Sequence, residues 1–193
     1  MKKLLFLLLA LLLVSGCGKK TQGRAEMLQQ RYAALNGYET HLRVVIPREE
    51  ETLAYTLYLT RSEDCVRAEV EAPAELAGAA ATMTGSALTL EYDGMILDAG
   101  TLSPRVSALS AAPLLLESFA QGYLNSCGGE DLDGAETLRA DFSATQGDET
   151  LSCTLFFAAD DTPVCGEIAQ DGKIIAAVEF TDFHFGDILL PDA

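Results

Sequence analysis

Tyr38-Glu39-Thr40-His41-Leu42-Arg43-Val44-Val45-Ile46 alternates with a period of two. Tyr38, Thr40, Leu42, Val44 and Ile46 fall on one side and Glu39, His41, Arg43 and Val45 on the other, which predicts a strand with one buried face. Pro47 to Glu51 is a charged turn, and residues 52–60 repeat the alternation with Leu53, Tyr55, Leu57 and Leu59 on one side. Arg61-Ser62-Glu63-Asp64 turns the chain again, and from Cys65 to Ala72 the residues Val66, Ala68 and Val70 alternate with Arg67, Glu69 and Glu71. Three short strands in succession on tight turns predict an antiparallel meander.

The pattern extends in both directions. Upstream, Arg24 to Leu35 places Leu28, Tyr32 and Leu35 on one helical face, and Asn36-Gly37 supplies a C-terminal stop. Downstream, residues 76–84 are rich in Ala and Thr, and Ser86–Tyr92 and Met95–Ala99 form a hairpin about Asp93-Gly94. Thr101 to Ser110 is irregular. Pro113 suits a first helical turn and opens a helix through about Asn125, with Leu116, Phe119, Ala120, Tyr123 and Leu124 at helical spacing and Cys127-Gly128-Gly129 ending it. Strands resume at 135–145, 150–158, 163–170 and 173–182. The expected architecture is α+β: one strongly curved antiparallel sheet with two helices to cover its concave side.

The N-terminus carries a different kind of signal. Met1-Lys2-Lys3 precedes an uninterrupted apolar run from Leu4 to Val14, then Ser15-Gly16 and Cys17. A charged start, an apolar stretch too short to span hydrocarbon and a small-residue cleavage site are the parts of a secretion signal. Val14-Ser15-Gly16-Cys17 resembles the lipobox, in which the cysteine thiol receives diacylglycerol. The expected organisation is a lipoprotein signal peptide at 1–16, a lipidated Cys17 with a flexible tether through residue 23, and a single domain over 24–193. That tether reaches at most about 20 Å.

With 13 Lys and Arg against 29 Asp and Glu, the net charge is −16, and removal of Lys2 and Lys3 with the leader takes it to −18. Such a surface repels nucleic acid and anionic headgroups, so nucleic-acid binding is excluded. Apart from Cys17 there are four cysteines, Cys65, Cys127, Cys153 and Cys165, none in a CxxC pair that would suggest zinc. Cys153 and Cys165 flank the turn at Asp160-Asp161-Thr162-Pro163 almost symmetrically. They can be a disulfide across a hairpin or buried free thiols.

No catalytic motif emerges. His41 lies on the polar side of its strand and His184 between Phe183 and Phe185, and neither has a GxSxG or HExxH partner. Glu130-Asp131-Leu132-Asp133 and Asp160-Asp161 sit in predicted turns and lack the oxygen-ligand spacing of a calcium loop. No metal or cofactor is expected. A curved sheet with an apolar inner face either packs solid or encloses a cavity for an apolar ligand.

Taken together, the lipobox, the helix ending in Leu35-Asn36-Gly37-Tyr38, the strand beginning Glu39-Thr40-His41, the Leu90-Glu91-Tyr92-Asp93-Gly94 hairpin, the mid-chain helix and Val178-Glu179-Phe180-Thr181-Asp182-Phe183-His184-Phe185 resemble the LolA-like lipoproteins. That superfamily spans outer-membrane lipoprotein sorting, mycobacterial lipid-binding lipoproteins and the clostridial spore germination lipoprotein. The resemblance implies an incomplete β-barrel with the two helices as a lid over an apolar cavity. It also implies a non-enzymatic protein anchored through Cys17 on the outer face of the bacterial cell membrane and holding an acyl chain or another apolar ligand. Leu42, Val44, Leu57, Leu59, Leu116, Phe119 and Tyr123 are the expected lining. The alternative is a regulator that binds a protein partner among cell-envelope or spore-cortex enzymes.

Overall fold

The computed structural model describes residues 17–63, 65–85, 87–101, 106–146 and 148–186. The expected signal peptide at 1–16, with Val14-Ser15-Gly16, and the C-terminal segment 187–193 lie outside the described residues. Helix α1 covers Cys17–Ala33 and is followed by β1 (Gly37–Pro47), β2 (Thr52–Ser62), β3 (Cys65–Ala72), β4 (Ala80–Thr84), β5 (Ala87–Tyr92) and β6 (Met95–Thr101). Helix α2 (Ala108–Gln121) leads into β7 (Leu124–Leu132), β8 (Ala135–Gln146), β9 (Glu149–Phe157), β10 (Pro163–Gln170) and β11 (Lys173–Phe185).

All the strands join one 11-stranded sheet in the order β6-β5-β4-β3-β2-β1-β11-β10-β9-β8-β7, with every neighbouring pair antiparallel. The two edges, β6 and β7, do not pair, so the barrel stays open. Strands β1–β6 run outward from the centre to one edge, α2 carries the chain to the other edge at β7, and β7–β11 run back to the centre, where β11 meets β1.

The period-two pattern of β1 is realised as read: Tyr38, Thr40, Leu42 and Val44 are buried while Arg43 is exposed. Three turns carry Asp-Gly with positive φ at both positions, Asp93-Gly94, Asp133-Gly134 and Asp171-Gly172. This geometry matches the right-handed twist of the strands it joins.

Helix α2 rests on β1 and β8–β11, and α1 packs on α2 and on β7 and β8. The core gathers Tyr32, Phe119, Phe157 and Phe183, with Tyr32 edge-on to Phe119 at 5.7 Å and to Phe157 at 5.4 Å. At the β9–β10 turn, Asp161 accepts from both Arg24 Nη2 and Arg31 Nη1 at 3.2 Å, and the Tyr32 hydroxyl donates to its carbonyl. These contacts clamp α1 to the sheet.

Three boundaries differ from expectation. Helix α1 starts at Cys17, so residues 18–23 are helical where a flexible tether was expected, and Gln22 Nε2 donates to Glu26 Oε1 one turn on. Helix α2 starts at Ala108 instead of Pro113, because Ser107 and Ser110 form a reciprocal capping box. Pro113 therefore sits inside the helix. The helix also ends at Gln121 rather than Asn125, since Gly122 turns extended and Gln29 Nε2 donates to the carbonyls of Phe119 and Gly122. Cys127-Gly128-Gly129 and Glu130-Asp131-Leu132 consequently belong to strand β7.

Candidate functional site

One side of α2 carries Ser110, Pro113, Leu114, Glu117 and Gln121 at helical spacing. This face looks across to β2, β3 and β4, and a groove of about 590 Å3 separates them. Val66, Met83, Pro113 and Leu114 supply its apolar surface, while Arg61, Glu63, Glu117 and Gln121 supply its polar surface. That volume lies within the range of small-molecule sites, about 300–1,000 Å3.

Arg61 Nη1 approaches Glu117 Oε1 at 3.7 Å, and Arg61 Nε donates to the Glu63 carbonyl at 3.2 Å. The groove's cation is thus already neutralised. Ser110 is committed to the helix cap, where its hydroxyl accepts from the Ser107 N–H at 2.9 Å. A cleft walled by Val66, Met83, Pro113 and Leu114 and rimmed by the Arg61–Glu117 pair can hold an aliphatic group. A smaller pocket of about 280 Å3 lies where Thr21 and Arg24 of α1 meet Gly129 of β7 and Glu136 to Leu138 of β8.

The expected cavity residues divide into two groups. Leu42, Val44, Leu57 and Leu59 on the sheet and Leu116 and Phe119 on α2 come together in one core cluster, each at most 2% exposed. None of the six lines the groove. Tyr123 is 82% exposed, which corrects its placement in the lining: it follows the helix end at Gly122 and is carried outward on the extended chain.

The groove residues absent from the sequence-based set are Val66, Met83, Pro113 and Leu114. Val66 was visible as an alternating apolar residue of β3. Met83 sat in an Ala/Thr-rich stretch with no element assigned, and Leu114 directly follows Pro113, where the helix was expected only to begin.

Cys65, Cys127, Cys153 and Cys165 are free thiols. The disulfide reading of Cys153 and Cys165 is corrected by register. Cys153 pairs with Ile168 on the inner face, whereas Cys165 pairs with Phe156 beyond a bulge at Pro163/Cys165, on the outer face. Burial pushes the Cys153 thiol up to about 11, as for an inert core thiol.

On the outer face, His41 Nδ1 lies 3.0 Å from Glu71 Oε2 with Tyr58 alongside, and His184 is exposed. Asp131 and Asp160 serve their own turns by accepting from the N–H groups of Gly134 and Thr162. Among the described residues no group of three or more His, Cys, Asp or Glu is placed to hold a metal, and no helix is long and apolar enough to cross a membrane.

No protein-family model and no curated protein matches the chain. Solved structures do. An uncharacterized conserved protein from Thermus thermophilus aligns with 86% of this chain and 90% of its own at 12% identity and a TM-score of 0.50. The LolA superfamily protein NE2245 from Nitrosomonas europaea aligns with 86% of this chain and 94% of its own at 10% identity and a TM-score of 0.46. The Thermus protein shares this fold. LprF from Mycobacterium bovis is similar over 90% of this chain and 97% of its own, at 13% identity and a TM-score of 0.49. At such identities the likeness is one of fold. What the fold does in this chain follows from its own groove and surfaces.

Proposed function

We propose that this chain is a non-enzymatic envelope lipoprotein, held to the outer face of the cell membrane by acyl chains on Cys17, that binds an acyl chain or another apolar ligand. The observation that carries this reading is the groove between α2 and the β2–β4 wing, with Val66, Met83, Pro113 and Leu114 facing it and an ion-paired rim. A methylene chain laid on that surface would leave water at about 0.8 kcal/mol per buried CH2. Beneath α2 the core side chains Leu42, Leu57, Leu116 and Phe119 are buried. Leu116 and Phe119 would join the binding surface only if α2 moved outward, so the groove is the entry site.

Helix α1 begins at the lipidation site and is clamped to the β9–β10 turn by Asp161. A lipid on Cys17 would therefore hold the domain close to the bilayer, without a long swinging tether. Native mass spectrometry of the protein released from membranes, compared with Leu114→Glu, tests the reading. Retained lipid in the parent and its loss in the variant is the expected result; no lipid on the parent, or equal lipid on both, contradicts it.

A further inference from the structure

The inner face of the sheet continues past the groove. Cross-strand register places Leu88 against Met83, Leu90 against Ala81, Leu97 against Leu90 and Met95 against Tyr92, so one apolar strip runs from the groove to the free edge at β6. Among the described residues neither helix packs extensively on β5 or β6. Met95, Ile96 and Leu97 are 67%, 73% and 62% exposed, on both faces of the strand.

A free edge with consecutive apolar residues invites another strand, and native edges are usually guarded by charge, proline or a covering element. The other edge is guarded: β7 carries Asn125, Ser126, Gly128, Gly129, Glu130 and Asp131 along its length, and α1 packs beside it. β6 has only Asp98, whose carboxylate accepts the N–H of Gly100.

Charge selects the occupant. Between Arg67 and Arg105 the chain has no Lys or Arg and six acids. Glu69 and Glu91 pair with Arg67, and Glu71 meets His41. Among the described residues no cation pairs with Glu75, Asp93 or Asp98 at the tip of the wing. A second copy would bring the same acids to the contact, and an anionic bilayer would be repelled likewise.

We infer that the edge of β6 receives an extended segment of another envelope protein, cationic and aliphatic in alternation, as an added strand. Backbone hydrogen bonds to β6 supply the attachment. Tyr92, Met95 and Leu97 take the aliphatic side chains, and the acidic tip takes the cations. This surface is separate from the ligand groove, since none of residues 92–98 lines it, so the two proposals fail independently.

Hydrogen–deuterium exchange on the full chain in detergent tests it, with a nine-residue peptide alternating Lys and Val as the probe and its Glu/Val counterpart beside it. The expected result is slowed exchange across 95–101 with the Lys peptide only, fading as salt rises, unchanged at β7, and lost in Met95→Lys/Leu97→Lys. Both positions are exposed, so that variant keeps the parental thermal melt. No slowing with the Lys peptide overturns the proposal, as does equal slowing with the Glu peptide. Slowing that follows protein concentration alone would make the occupant a second copy. Slowing produced by phosphatidylglycerol vesicles alone would make it a bilayer; either result refutes the inference.

Discussion

Arg61 Nη1 stands 3.7 Å from Glu117 Oε1, joining β2 to α2 across the groove, with the arginine 21% exposed and the glutamate 47%. Directly beneath, the buried Tyr38 hydroxyl has no hydrogen-bond partner among the described residues. Burial raises the Tyr38 phenol well above its usual range, and the Arg61 guanidinium partly offsets this. A half-exposed pair of this kind contributes about 0–1 kcal/mol. Glu117→Gln is therefore expected to lower unfolding free energy by no more than about 1 kcal/mol, while hydrogen exchange across 111–121 speeds up as α2 loses a contact. A large loss of stability with unchanged exchange would contradict this.

Phe119 and Tyr123 were grouped on one helix face, yet one is wholly buried and the other 82% exposed. Phe119→Ala removes a ring packed against Tyr32, Phe142 and Phe157 and is expected to cost about 3–5 kcal/mol in chemical denaturation. Tyr123→Ala is expected to change stability by less than about 0.5 kcal/mol.

Gly166 on β10 lies beneath Leu115 of α2. A Cβ there would lie 2.8 Å from Leu155 Cδ1, 2.9 Å from the Thr154 carbonyl oxygen and 3.0 Å from Leu115 Cδ1. The leucines can shift; the carbonyl cannot without bending the strand. Gly166→Ala is expected to lower stability by about 1–3 kcal/mol, read as a fall in thermal midpoint.

Asp141 supplies the acid dependence. Burial works to raise its carboxyl, but hydrogen bonds from Ser126 and Thr154 and the charge-assisted contact from Arg139 outweigh burial and hold it below the usual carboxylate range. A depressed folded pKa contributes stability above the unfolded value of about 3.9 that is lost as pH falls through the folded one. The gap in unfolding free energy between the parent and Asp141→Asn should thus be largest near neutrality and shrink below about pH 4. A gap that stays constant or widens in acid would refute this.

How much of this was legible depended on periodicity. β1, β2 and β3 alternate cleanly because one side of each faces the core, and their bounds were read nearly to the residue. β7 alternates little, since Asn125, Ser126, Gly128 and Gly129 lie along an edge with little core to face, so it was missed although Asp133-Gly134 carries the same turn signal as Asp93-Gly94. The Ser107–Ser110 cap was equally local but lay in a stretch read as irregular, and Pro113 drew the helix start toward itself. The groove was beyond sequence reasoning for a different reason. Its apolar surface joins Val66, Met83 and Leu114, and only the path of α2 over the sheet makes these neighbours.

The central claim is that an acyl chain occupies the groove beside α2. A diazirine-bearing fatty acid, photoactivated on the purified protein and mapped by peptide mass spectrometry, tests this most directly. The account predicts adducts on the peptides carrying Val66, Met83 and Leu114, competed by unlabelled fatty acid. Adducts confined to other peptides, or none that competition removes, would contradict it.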